Sequence, residues 1–291
     1  MMDMDDSQRE QWVVEPGQSK TFDFEDLDSV IIELVCGRVD VIGNDSPRAR
    51  LEIANVRSES VDIRLDGGKL SISHPSVRGR WNVHLFGKSW FREYGHINAD
   101  VSLLVPRKVA LRLAAVRGDT LVSGLSHGAK IETVSGTVLS DGLSGHLHLD
   151  NVSGKVEARN HHGSVDANTV SGDVVLSADC ERVKVDSVSG DLYLDAFGAP
   201  TSIDFNSVSG NASIRLASQV RLRCDVNSIS GRVQVGGQTY KTSMSKGFKY
   251  EDGPYDGSPL SVGMGSVSGK LRVVRREDDE PVRGEKVGEH Q

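Results

Sequence analysis

The chain has 291 residues, 41 acidic against 34 basic side chains, a net charge of −7, 31 glycines, 8 prolines and 5% aromatic residues. A surplus of acid without a concentrated basic surface excludes nucleic acid as a general partner, because a polyanion requires clustered cations to neutralise its phosphates. Abundant glycine with few aromatics points away from a helical bundle and toward many short, similar strands, in one elongated domain or two ordinary ones.

Taken in chain order, residues 1–10 ("MMDMDDSQRE") are acidic and lack the basic and apolar regions of a secretory signal; they are expected to be disordered. No run of 18 apolar residues occurs anywhere, so no membrane-spanning helix is expected. Residues 11–108 read as an N-terminal β region. In "VCGRVDVIG" and "DGGKLSISH" the apolar residues Val39, Val41, Leu70 and Ile72 alternate after Gly37 and Gly68, which is the period of a strand with one buried face.

Within that region lies an insertion, 74–98, of different character. Arg78, Arg80, Trp81, Phe86, Lys88, Trp90, Phe91, Arg92 and Tyr94 crowd aromatic and cationic side chains together in an otherwise aromatic-poor, acidic chain. Such mixing suits contact with a protein partner or a membrane surface. An end cap folded over an exposed core is the competing reading.

Residues 109–275 repeat. From Ser135 the chain runs in nines, "SGTVLSDGL", "SGHLHLDNV", "SGKVEARNH", "HGSVDANTV", "SGDVVLSAD", "CERVKVDSV", "SGDLYLDAF", with apolar residues at the fourth and usually the sixth position. Glycine at the head of a unit accepts the positive φ that a sharp corner requires, so Gly136, Gly145, Gly154, Gly163, Gly172, Gly190, Gly210, Gly231 and Gly269 read as structural corners. The fold class predicted is all-β: a single-chain β-solenoid with two-sided coils of 18–21 residues and an irregular N-terminal β cap. Calcium-binding nonapeptides need paired glycines and a recurrent aspartate that these units lack. Hexapeptide coils would bury Ser164 and Arg182.

If coils stack in order, His148, Asp166, Lys184, Asp204 and Arg223 form an outward column of alternating charge, a ladder that pins register. His146 and His148 share a face, with His161 and His162 near a following corner. Without accompanying acids or thiols they make a poor metal site, and no metal or cofactor is assigned. No G-x-x-x-x-G-K-[ST], H-E-x-x-H or C-x-x-C motif occurs, and serine recurs chiefly at the V-S-G corners, so no catalytic residues are assigned and the chain is not read as an enzyme. Cys36, Cys180 and Cys224 are spaced as reduced, buried thiols. Residues 236–262 interrupt the repeat as a long insertion, and 276–291 form a charged tail expected to be disordered.

Repeated V-S-G-x-[VL]-x-[VL] units preceded by Asp or Asn, with the strand pair "VIIELVCGRVDVIG", resemble a bacterial β-strand-repeat family of unknown function described as candidate adhesins, over roughly residues 12–275. The resemblance implies a β-solenoid, with relatives tied to cell-envelope stress or anchored in membranes. The expectation is therefore a non-catalytic structural or interaction module, cytoplasmic and peripheral at the inner membrane face, with an unknown protein or a membrane surface as partner. Extracellular adhesion or carbohydrate binding, and a polymer-forming scaffold like the bactofilins, are the alternatives.

Overall fold

The computed structural model describes residues 9–78, 96–198, 200–242, 247–253 and 258–276. These contain 24 strands and no helix. The chain divides into two compact units after Val156. That division falls later than the expected boundary at 108/109, because the first coils hydrogen-bond directly to the N-terminal strands.

Unit 1 contains β1 (Arg9–Val14), β2 (Lys20–Glu25), β3 (Ser29–Cys36), β4 (Val39–Asn44), β5 (Arg48–Arg57), β6 (Val61–Asp66), β7 (Lys69–Ser73), β8 (Asn98–Pro106), β9 (Ala110–Arg117), β10 (Thr120–Ser123), β11 (Ala129–Ser135), β12 (Val138–Asp141) and β13 (Ser144–Ser153). Two parallel runs result. One is β7–β3–β9–β11–β13 and the other β8–β4–β10–β12. From β9 to β13 the step is 18 residues, with Leu111 beside Ala129 and Ala129 beside Leu147. The strand period therefore places Ile72, Ile32, Leu113, Ile131 and Leu149 in one buried row across five strands. Each such side chain contributes roughly 1.5–3 kcal/mol by leaving water.

A parallel run ends in an open edge, and antiparallel strands cover the edges here. β6 pairs with β7 and β1 with β6; β5 pairs with β8 and β2 with β5. Over that end Trp12, Phe22 and Phe24 pack with ring centroids 5.6–6.2 Å apart. This aromatic trio closes the core, and the outermost strands β1 and β2 carry mostly exposed residues, which discourages further strand addition.

Unit 2 contains β14 (Val156–Thr169), β15 (Val174–Ser187), β16 (Leu192–Ala196), β17 (Ser202–Ser207), β18 (Ala212–Leu216), β19 (Leu222–Ser228), β20 (Arg232–Val235), β21 (Gln238–Lys241), β22 (Phe248–Asp252), β23 (Leu260–Ser266) and β24 (Lys270–Arg275). The parallel runs are β15–β17–β23–β19 and β15–β16–β18–β24–β20. Their interiors hold Val185, Phe205, Met264 and Val226 on one side and Val174, Leu192, Ala212, Leu271 and Val233 on the other.

Stacking order here departs from chain order. β23 and β24 lie between the coil of β17–β18 and the coil of β19–β20, where the repeat reading expected consecutive coils. Small residues permit the insertion: β23 presents Ser261, Gly263 and Gly265 outward, and a Cβ on either glycine would meet the carboxylate of Asp204 or the amide of Asn206. Residues 236–262 are accordingly more than a loop. β21 runs antiparallel to β20 and β22 antiparallel to β19, covering the two edges left at this end.

The glycine corners are of two kinds. Gly136, Gly145, Gly154 and Gly163 have φ between 96° and 128°, as a glycine corner requires. Gly172, Gly190, Gly210, Gly231 and Gly269 do not adopt positive φ, which corrects the single reason offered for all nine. Close approach governs this second group. A Cβ on Gly190 would meet the carbonyl of Gly172, and one on Gly210 the carbonyl of Gly190. Gly190→Ala is expected to cost about 1–3 kcal/mol through this backbone overlap; an unchanged denaturation midpoint would contradict the stacking.

Candidate interaction surfaces

The letters V-S-G recur throughout, yet they build different corners in the two units. In unit 2 the preceding residue is Thr169, Ser187, Ser207, Ser228 or Ser266. Thr169, Ser187 and Ser207 accept hydrogen bonds from the N–H groups of Gly172, Gly190 and Gly210 at 2.6–2.9 Å. Gly231 donates instead to Thr242 Oγ1 at 2.9 Å, while Ser266 donates to Ser228 at 2.9 Å. With the small hydroxyl residue turned inward to hold the glycine, the next residue faces solvent.

The consequence is an apolar ladder. Val170, Val188, Val208, Val267 and Ile229 each expose 46–49% of their surface. Backbone hydrogen bonds fix their order: Ser189 N–H donates to Val170, Ser209 to Val188, Ser268 to Val208 and Ser230 to Val267. Four steps at strand spacing make a row about 19 Å long. In unit 1 the equivalent Val35, Val116 and Val134 are buried, Val35 against Val77 and Ile97. Sequence reading noted the apolar ninth position without locating it. The preceding residue does not separate the two sets, since Thr133 stands before buried Val134 just as Thr169 stands before exposed Val170.

A second surface feature is a groove of about 410 Å³ over β15, β16, β18 and β24, lined by Val175, Tyr193, Arg215, Asp195 and Val274 among others. Burial pushes the Asp195 carboxyl up, but hydrogen bonds from Arg215 and Arg276 outweigh it and leave the group below the usual carboxylate range. Arg276 also stacks on Phe197, 4.3 Å from the ring centroid. The third is a cleft of about 860 Å³ in unit 1 around Cys36, Arg57 and Arg117.

Of the residues singled out for partner or membrane contact, Arg78 forms a 2.6 Å ion pair with Asp62. Arg80, Trp81, Phe86, Lys88, Trp90, Phe91, Arg92 and Tyr94 lie outside the described residues. The charge ladder keeps the expected order from His148 through Asp166 and Lys184 to Asp204, with Asp166 close to His148 and both aspartates acting on Lys184, and departs from it at Arg223. Lys184 does sit beside Asp204, but it bonds Asp186 two residues along its own strand at 3.0 Å. Asp204 is followed by Gly263 and then Asp225, so β23 separates it from Arg223, which lies level with Ser202 and Ser261. His148 likewise bonds Asp150 at 2.9 Å, and Arg159 bonds Glu157, within single strands. Outward residues two apart share a face, so pairs along a strand compete with pairs across it. His162 lies 3.6 Å from Asp179, and His161 is fully buried with Nε2 3.2 Å from the Ser164 carbonyl. Burial pushes the Cys180 and Cys224 thiols up to about 12, so both are protonated at neutral pH and unsuited to nucleophilic chemistry.

All-β units of stacked parallel coils, ended by antiparallel strands, define a β-strand repeat protein. The Toastrack DUF4097 family matches residues 45–196, more than half of the chain, and the chain belongs to that family. Among solved structures it is similar to a candidate lipid binding protein from Parabacteroides distasonis, at 13% identity over 89% of this chain and 97% of that one, with a TM-score of 0.46. A candidate adhesin from Bacteroides fragilis is similar at 12% identity over 89% and 98% of the two chains, TM-score 0.42. A candidate cell adhesion protein from Clostridium sporogenes is similar at 12% identity over 93% and 100%, TM-score 0.28. A search of the curated proteins finds no match.

Proposed function

We propose that this chain is a non-catalytic binding module that offers a rigid apolar ladder to a protein partner. The observation that carries this reading is the half-exposed row Val170, Val188, Val208, Val267 and Ile229 on a hydrogen-bonded stack. An aligned apolar row held on fixed backbone costs little ordering entropy to dock against. Serine hydroxyls beside it supply polar contacts, and the row itself carries no charge, which matches the centre of a protein interface more closely than a lipid-binding face rich in cations. Its small area fits a transient partner better than an obligate one. Within this proposal the composition of residues 80–94 supports a second contact element suited to the inner membrane face.

A photo-crosslinking side chain at Val208, introduced in the native host, is expected to yield a discrete protein adduct that the same probe at exposed Lys241 does not. Adding Val188→Asp beside the probe should abolish the adduct while stability stays within about 0.5 kcal/mol. Identical adducts at both positions would overturn the proposal.

A further inference from the structure

The cleft of about 860 Å³ in unit 1 lies where the first V-C-G and V-R-G corners meet the start of β8, and its lining includes Cys36, Arg38, Arg57, His96, Asp100, Arg117 and Asp119. Its volume is that of a small-molecule site. Two features of the backbone bring cations there. Parallel pairing sets Cys36 and Arg117 side by side at the ends of β3 and β9. On the other wall the register of β5 against β8 slips between Ala54 and Arg57, with Asn55 and Ser58 at φ 54° and 67°. A bulge of this kind re-aims a side chain, and left-handed backbone at non-glycine residues stores a strain that clusters at ligand sites.

The charges divide into committed and uncommitted sets. The guanidinium of Arg38 is held by Asp40 at 2.8 and 3.0 Å. Asp100 accepts from Arg38 N–H at 2.9 Å and from Asn55 Nδ2 at 2.6 Å, while Asp119 accepts from Thr137 N–H at 3.1 Å. Both carboxylates are held in place by neutral donors and keep their negative charge. Arg57 and Arg117 are exposed and make no ion pair among the described residues. Partial burial pushes the Cys36 thiol up, against the pull of Arg117, so it adds no negative charge at neutral pH.

We propose that this cleft binds a phosphate group through Arg57 and Arg117, with His96 at the same wall. A guanidinium fork matches the oxygens of a phosphate, and the cleft has room for the group that carries it, either a soluble phosphate ester or a lipid head group. The site is independent of the unit 2 ladder and of its partner.

The test uses the full chain with Arg57→Gln, Arg117→Gln and the double variant, and Arg9→Gln as a control, since Arg9 pairs with Asp66 on the edge strand. Glycerol phosphate is titrated while the arginine Nε–H resonances are followed by NMR, and phosphatidylcholine vesicles with and without phosphatidylglycerol are floated. Saturable shifts at both arginines, with affinity reduced roughly tenfold or more by either substitution and unaffected by Arg9→Gln, are the expected result. Binding of the ester alone assigns a soluble ligand, whereas retention by the anionic vesicles assigns a lipid. Absence of binding to both probes, or a double variant that binds as wild type, overturns the site. All three variants alter exposed side chains, so an unchanged melting temperature verifies that they fold.

Discussion

Replacing His74 with asparagine is expected to flatten the acid limb of the stability profile. His74 is fully buried; its Nδ1 accepts the Val35 N–H at 3.1 Å, and its own N–H donates to the Glu33 carbonyl at 3.0 Å. A ring that accepts at Nδ1 carries its proton on Nε2, and that atom has no partner among the described residues. The site is thus built for a neutral imidazole, and burial holds the group down at about 4 from an ordinary 6.5. A base with a depressed folded-state pKa contributes its full share of stability above the unfolded value. That share is lost as pH falls from 6.5 toward 4, because the unfolded chain takes up the proton first. Between about pH 7 and pH 4 the loss from this residue amounts to roughly 3 kcal/mol. Asparagine Oδ1 can accept the Val35 bond without titrating. Denaturation curves at a series of pH values should show wild type steeper than His74→Asn across that window, and parallel profiles would contradict the assignment. The affected segment carries Val77, which packs with Val35 and Ile97, so acid is expected to loosen that cluster first.

Phe205→Ala should cost about 3–5 kcal/mol, while Val208→Ala, three residues on, should fall within about 0.5 kcal/mol of wild type. Phe205 is among the largest side chains that are fully buried, and its register neighbours Val185 and Met264 are buried with it. Removing its ring leaves a cavity between strands whose spacing is fixed by their hydrogen bonds, so the walls cannot close around it. Val208 already keeps nearly half its surface in water. Comparable losses at the two positions in urea denaturation would show that the corner valines belong to the core, and would remove the basis of the proposed ladder.

Local pattern determined much of this protein. Alternation alone placed Val39, Val41, Leu70, Ile72, Leu147, Leu149, Leu192 and Leu194 inside, because a strand's period of two leaves no other way to bury one face. The nonamer count anticipated the 18-residue steps from Leu111 to Ala129 to Leu147. What tertiary structure alone decided was the pairing of strands far apart in the chain. Nothing in "LSVGMGS" announces that β23 will slip between β17 and β19 and part Asp204 from Arg223; its outward glycines acquire that meaning only against the side chains they must clear. The same holds for Val170 and Val134, alike in sequence and opposite in exposure, and for the cleft, where Cys36, Arg57 and Arg117 meet through a bulge and a parallel register. Periodicity reports which face of a strand turns inward, whereas the identity of the neighbour is set by long-range hydrogen bonding, which no short stretch of chain encodes.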